Sequence, residues 1–165
     1  AIGDRIQIRA KGQGMRALNF TGIKIMNMGP ALMDALTSRG MGVNDEGRLR
    51  VPVTHLVPSK IMGSGLGQSH TYSGDYDIQM FDASVVAENG LETLRFGDVV
   101  AIMDADSSYG RVFRKGAVTI GVVAHGYSNV AGHGPGVTTL IASPTGNIEP
   151  YIDADANLAT LLNLR

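Results

Sequence analysis

Gly97-Asp98-Val99-Val100-Ala101-Ile102-Met103 is a glycine–aspartate turn feeding five consecutive apolar residues. A short apolar run bounded by turn residues reads as a buried strand. Two more runs follow, Ala117 to Ala124, rich in β-branched residues, and Val137 to Ala142. Shorter strands surround them. Arg5-Ile6-Gln7-Ile8-Arg9 alternates polar and apolar and closes on the turn Lys11-Gly12-Gln13-Gly14; Ile23-Lys24-Ile25-Met26 alternates again. Val51 to Val57 is strand-like, with Pro52 pointing to an edge position. Ala1-Ile2-Gly3-Asp4-Arg5-Ile6 faintly echoes Arg95-Phe96-Gly97-Asp98-Val99-Val100, a small sign of barrel-like construction.

Helices are few. Pro30 suits a first helical position, Gly40 suits a C-terminal stop, and Leu32, Met33 and Leu36 between them have helical spacing, which predicts a helix over 30–39. Asp82 can cap a short helix running to Glu88 and stopped by Gly90. Asp153 can cap a closing helix with Leu158, Leu161 and Leu162 on one face. Glycine is abundant, 22 of 165 residues, and tryptophan is absent. That composition fits many strands joined by tight turns better than a helical bundle. The expected fold is β-rich α+β: a barrel-like or layered, mostly antiparallel sheet with two or three short helices, in one domain spanning 1–165.

A net charge of −1 gives no nucleic-acid or acidic-membrane footprint, and no apolar run reaches the roughly 18 residues needed to span a bilayer. There is no cysteine, hence no disulfide, thiolate ligand or cysteine nucleophile. The default compartment is the cytoplasm. The partner expected is a small-molecule substrate or ligand, with neither nucleic acid nor membrane.

Two Asp-x-Asp triplets carry the chemistry: Asp75-Tyr76-Asp77 and Asp104-Ala105-Asp106. In an extended chain, residues i and i+2 share a face, so each triplet sets two carboxylates side by side. Like charges at that spacing repel unless a cation sits between them, and four oxygen donors near glycines read as a hard-cation or polar-ligand site. The bland alternative is a pair of turns in which the aspartates accept backbone N–H bonds. Arg111, close behind the second triplet, can grip an anion or pair with the acids, whereas Arg114 and Lys115 read as surface charges on a hairpin. His133, in Gly132-His133-Gly134-Pro135-Gly136, can serve as ligand or general base. His70 could join the site; His125, ending an apolar run, reads at least equally as a satisfied core histidine; His55 reads as structural. Gly63-Ser64-Gly65-Leu66-Gly67 fails both nucleotide-loop patterns and reads as a lid or site wall, with Lys60 and Arg111 the only support for a phosphate-binding reading.

The motifs Met62-Gly63-Ser64-Gly65, Ser73-Gly74-Asp75-Tyr76-Asp77-Ile78, Leu94-Arg95-Phe96-Gly97-Asp98, Ser108-Tyr109-Gly110-Arg111, Lys115-Gly116-Ala117-Val118-Thr119 and Gly132-His133-Gly134-Pro135-Gly136-Val137 together resemble the C-terminal part of a prokaryotic family called domain of unknown function 4438. The resemblance implies a β-rich cytoplasmic homo-oligomer. It also implies a longer protein, whose missing N-terminal region this chain would contact. A more distant likeness is to acetamidase/formamidase-like proteins. There Ser73-Gly74-Asp75-Tyr76-Asp77-Ile78 is similar to a Gly-Gly-Asn-x-Asp-Ile segment, and Met103 to Gly110 is similar to an acid-rich segment before a strand. On that likeness Asp77 and Asp104 match acidic positions, while Asp106 stands where the amidases have histidine and Arg111 where they have an acid.

The expected function is therefore a metal-dependent hydrolase acting on a small polar substrate such as an amide. Asp77, Asp104 and Asp106 would hold a divalent ion (Zn, Mg, Mn or Ca), with Asp75 or His133 beside them. His133 would move protons and Arg111 would stabilise negative charge. The competing expectation is a non-catalytic ligand-binding or oligomerisation module. The discriminating observation is whether the two triplets converge.

Overall fold

The computed structural model describes residues 14–164. The strand expected over 5–9 lies outside them. Along the chain run β1 (Lys24–Ile25), α1 (Pro30–Ser38), β2 (Gly42–Val43), β3 (Leu49–Val53), β4 (His55–Pro58), β5 (Tyr76–Asp77), α2 (Ala83–Glu88), β6 (Val99–Asp106), β7 (Val112–His125), β8 (Gly136–Ser143), β9 (Ile148–Ile152) and α3 (Leu158–Leu161). Short 3₁₀ turns occupy Ser59–Ile61 and Leu91–Thr93.

The three apolar runs form the centre of the main sheet, in order β1-β8-β7-β6-β4, with β5 also pairing β8. Both faces of this sheet are covered, which explains why the runs do not alternate. Val99 and Ala101 of β6 join one core with Leu32 and Leu36 of α1, Val51 and Val53 of β3, and Ile148 of β9. Val100 and Ile102, pointing the opposite way, join a second core with Val57, Ile61, Tyr76, Ile78, Val86 and Leu91. Pairing is antiparallel except for β4 with β6 and β3 with β9. The fold is thus β-rich and layered, as expected; the sheets do not close into a barrel.

The segment 51–57 divides. β3 enters a small sheet of order β2-β3-β9, and β4 enters the main sheet. The switch is at Thr54, whose N–H and hydroxyl both donate to the Val99 carbonyl, at 2.7 and 3.1 Å. The helices obey their end signals. Pro30 starts α1, and Gly40 ends it at φ +100°. Asp82 accepts the N–H groups of Ser84 and Val85 at the start of α2. The third cap is corrected: Asn157, not Asp153, accepts the Ala159 N–H that opens α3. Asp153 is occupied by a two-pronged pair with Arg39, both contacts 2.8 Å, which ties the end of α1 to the segment after β9. Among the described residues, no helix is long and apolar enough to cross a membrane.

Candidate functional site

β5 and β7 flank the start of β8, so that Gly136 lies opposite Asp77 on one side and opposite His125 on the other. The register shift after Val123 sets His125 at this row. A β-carbon at Gly136 would lie 2.2 Å from His125 Nε2 and 2.5 Å from Asp75 Oδ2. Its absence opens the space in which side chains from the flanking strands meet.

They meet closely. His125 Nε2 is 2.6 Å from Asp75 Oδ2 and 3.7 Å from Asp77 Oδ1. Asp75, Asp77 and His125 each present one ligand atom within 4.8 Å of the others. His133 arrives from the loop before β8, its Nδ1 2.9 Å from Asp77 Oδ2, and Gly134 N–H donates to the same oxygen at 3.3 Å. Asp77 is buried, while Asp75, His125 and His133 are partly open to solvent. The cluster therefore has a buried floor and an accessible mouth.

Tautomers follow from the partners. His125 Nδ1 is 2.9 Å from the Gly126 carbonyl, which can only accept. Nδ1 thus carries a proton, and Nε2 aims at the two carboxylates. A backbone carbonyl holding the far nitrogen is how metal-ligating histidines are oriented. Without a cation, the Gly126 carbonyl first, then the charges of Asp75 and Asp77, hold the His125 pKa above its ordinary value of 6.5, against burial, which lowers it. Asp77 Oδ2 can likewise only accept, so His133 donates from Nδ1 and leaves Nε2 for other work.

The glycine-rich loop, expected as a lid or site wall, packs against Asp77. Gly63 N–H donates to the Asp77 carbonyl at 2.8 Å, Asp77 N–H donates to the Ser64 carbonyl at 2.9 Å, and Ser64 N–H donates to the Gly132 carbonyl at 2.6 Å. A β-carbon at Gly63 would strike the Gly132 carbonyl at 2.2 Å, and one at Gly134 would strike the Ile78 carbonyl at 1.8 Å. Three backbone segments are thus drawn together around Asp77.

The second triplet does not enter this cluster. Asp104 sits at a bulge between Met103 and Ala105 with φ +57°, and its Oδ1 accepts the Gly116 N–H at 2.7 Å. The bulge removes it from the regular pleat, so the same-face argument fails for Asp104 and Asp106. Asp106 Oδ1 accepts the Ser108 N–H at 2.9 Å, an Asx turn, and its Oδ2 lies 3.5 Å from Arg114. Arg111 is almost wholly buried beneath the first triplet. Its Nη2 donates to the carbonyls of Ser73 and Gly74 at 3.4 and 3.2 Å, and its guanidinium lies 6.0 Å from the Tyr76 ring centre. Burial lowers its pKa, with Asp75 and then Tyr76 and Asp77 opposing. It supports the Asp75–Asp77 segment from below and does not reach the mouth. His70 is exposed, 3.4 Å from Ser73 Oγ, and is not in the cluster. His125, read from sequence as a core residue at least as readily as a functional one, is a central member. Only the pairing of β7 with β8 reveals it.

Residues 40–162 match the family described as domain of unknown function (DUF4438), C-terminal, and residues 1–34 match its N-terminal domain. The chain belongs to this family and carries sequence from both of its domains. It is similar to the crystal structure of TM1086, at 40% identity and a TM-score of 0.80, over 90% of this chain and 50% of that one. The chain thus spans half the length of that relative. No curated protein matches. The family and the solved relative carry no named activity, and a likeness to acetamidases or formamidases is not among these findings.

Proposed function

We propose that this DUF4438 member binds a divalent cation at Asp75, Asp77 and His125 and hydrolyses a small polar substrate, such as an amide, beside it. The two triplets do not converge, which removes Asp104 and Asp106 and with them the convergence argument for catalysis; the cation site rests instead on the meeting of three ligand atoms over the missing side chain of Gly136. Two carboxylate oxygens and one imidazole nitrogen suit zinc or manganese better than a purely oxygen-seeking ion. A cation there supplies Lewis acidity and makes water a stronger acid. Asp77 anchors the site from its buried position. The Gly126 carbonyl orients His125. His133, fixed at Nδ1 by Asp77, offers Nε2 at the mouth to take and return a proton. Arg111 holds the segment carrying Asp75 rather than touching the substrate.

The test is titration calorimetry with zinc and manganese, together with elemental analysis of protein purified without chelator. Wild type should bind one ion per chain. Asp77→Asn and His125→Gln should lose at least tenfold in affinity, while a double Asp104→Asn, Asp106→Asn variant should bind as wild type. Wild-type affinity in Asp77→Asn would sink the site. Binding without amide turnover would move the reading to a ligand-binding module.

A further inference from the structure

At the opposite edge of the main sheet from β5, a cleft of about 620 Å³ is lined by Thr54, His55, Glu92, Thr93, Leu94, Arg95 and Ala154. At its wall, His55 stands between two hydroxyls: Nδ1 is 2.8 Å from Thr54 Oγ1 and Nε2 is 3.0 Å from Thr93 Oγ1. The direction of these bonds is forced. The Val99 carbonyl only accepts, so the Thr54 hydroxyl donates to it, at 3.1 Å, and must accept from His55. Nδ1 therefore carries the proton. In a neutral ring Nε2 then accepts, and Thr93 donates to it. His55 is buried and Thr93 is exposed. Burial lowers the His55 pKa, the charge of Asp98 opposes this, and Arg95 adds to it, so the ring is neutral near pH 7.

We infer that Thr93 Oγ1 is a nucleophile activated by His55 for acyl transfer from carboxylic esters, a second reactive site separate from the acidic cluster. A hydroxyl on the free nitrogen of an oriented, neutral imidazole is the arrangement that nucleophilic catalysis requires. Thr93 Oγ1 attacks the ester carbonyl carbon. The Oγ–C bond forms and the bond to the alcohol leaving group breaks. The Thr93 proton passes to His55 Nε2 and on to the departing oxygen. Water then reverses the sequence through the same imidazole and releases the acid. Thr54 is a positioning residue that fixes the tautomer. Asp98, fully buried with Oδ2 3.8 Å from His55 Nδ1, supplies the negative charge that favours the imidazolium as it forms. Asp98 is itself held by Arg95, by the Arg95 N–H and by Asn157. Arg95 and Glu92 are the other charged groups at the cleft, and Arg95 can meet the developing oxyanion.

The experiment is incubation of the full chain with p-nitrophenyl acetate, followed by intact mass and peptide mapping. One acetyl group on Thr93 is expected. Thr93→Ser should retain it and Thr93→Ala should lose it. His55→Gln should slow it about 100-fold. Because His55 is buried and that variant could unfold, the wild-type rate is also followed against pH. It should rise with loss of one proton and then level off below pH 7. No acid-trapped adduct on Thr93 together with no p-nitrophenol release above buffer, adducts on lysines alone, an unchanged rate in folded His55→Gln, or a rate climbing tenfold per pH unit without levelling would each overturn the inference.

Discussion

Gly136 decides whether the acidic cluster can exist, because the space of its missing side chain is taken by His125 Nε2 and Asp75 Oδ2. Gly136→Ala adds a single methyl group to a strand position. Overpacking of that kind costs about 1–3 kcal/mol, so the fold should survive. The methyl must nevertheless push His125 and Asp75 apart. Metal affinity by calorimetry should drop more than tenfold while circular dichroism stays that of wild type. Equal affinity would mean that the two side chains do not share a ligand. Sequence reading reached three members of this neighbourhood, Asp75, Asp77 and His133, because acids at i and i+2 and a glycine-flanked histidine are local patterns. It did not single out His125. The row His125–Gly136–Asp77 joins residues from three strands, and no spacing within one segment encodes it.

Among the elements, β6 shows where local pattern succeeds and where it fails. Its apolar half was legible because both faces are buried and every position must be apolar. Its acidic end has the spacing of a continued pleat, yet the bulge rotates Asp104 into the left-handed region. There its carboxylate closes the β6–β7 hairpin onto Gly116. Helix starts at Pro30 and Asp82 are legible because each signal is local: the proline ring presets the first-turn φ, and Asp82 accepts the N–H groups of Ser84 and Val85. The role of Asp153 is not written locally, because its partner, Arg39, lies 114 residues away. The sheet switch at Thr54 depends on the Val99 carbonyl and was equally hidden. If Asp104 is a bulge device, its needs are an αL-tolerant residue and an acceptor. Asn supplies both, so Asp104→Asn should leave stability within about 0.5 kcal/mol of wild type in urea unfolding. Asp104→Val supplies neither and should cost about 1–3 kcal/mol. Equal stability of the two variants would refute the role.

Across the whole molecule, a main sheet with a core on each face makes β4, at its edge, depend on contacts from both β6 and the segment 91–98. His55 is buried at that junction, with Thr54, Thr93 and the equally buried Asp98 around it. Its pKa is lowered in the folded chain, chiefly by burial, from an ordinary value of 6.5. The unfolded chain therefore binds the His55 proton more readily than the folded one. By linkage, this group's contribution to stability is complete above pH 6.5 and is lost as pH falls from there through the folded pKa. Asp153 acts in the same direction further down. The Arg39 hydrogen bonds hold its pKa below 3.8, so its contribution is complete above that value and disappears in stronger acid. The urea midpoint of wild type should accordingly fall in two stages on acidification, the first beginning near pH 6.5. In His55→Gln the first stage should vanish while the second remains, whatever stability the substitution itself removes. A first stage that persists unchanged in His55→Gln would assign it to another group and would show that the junction beneath β4 is not buried as described.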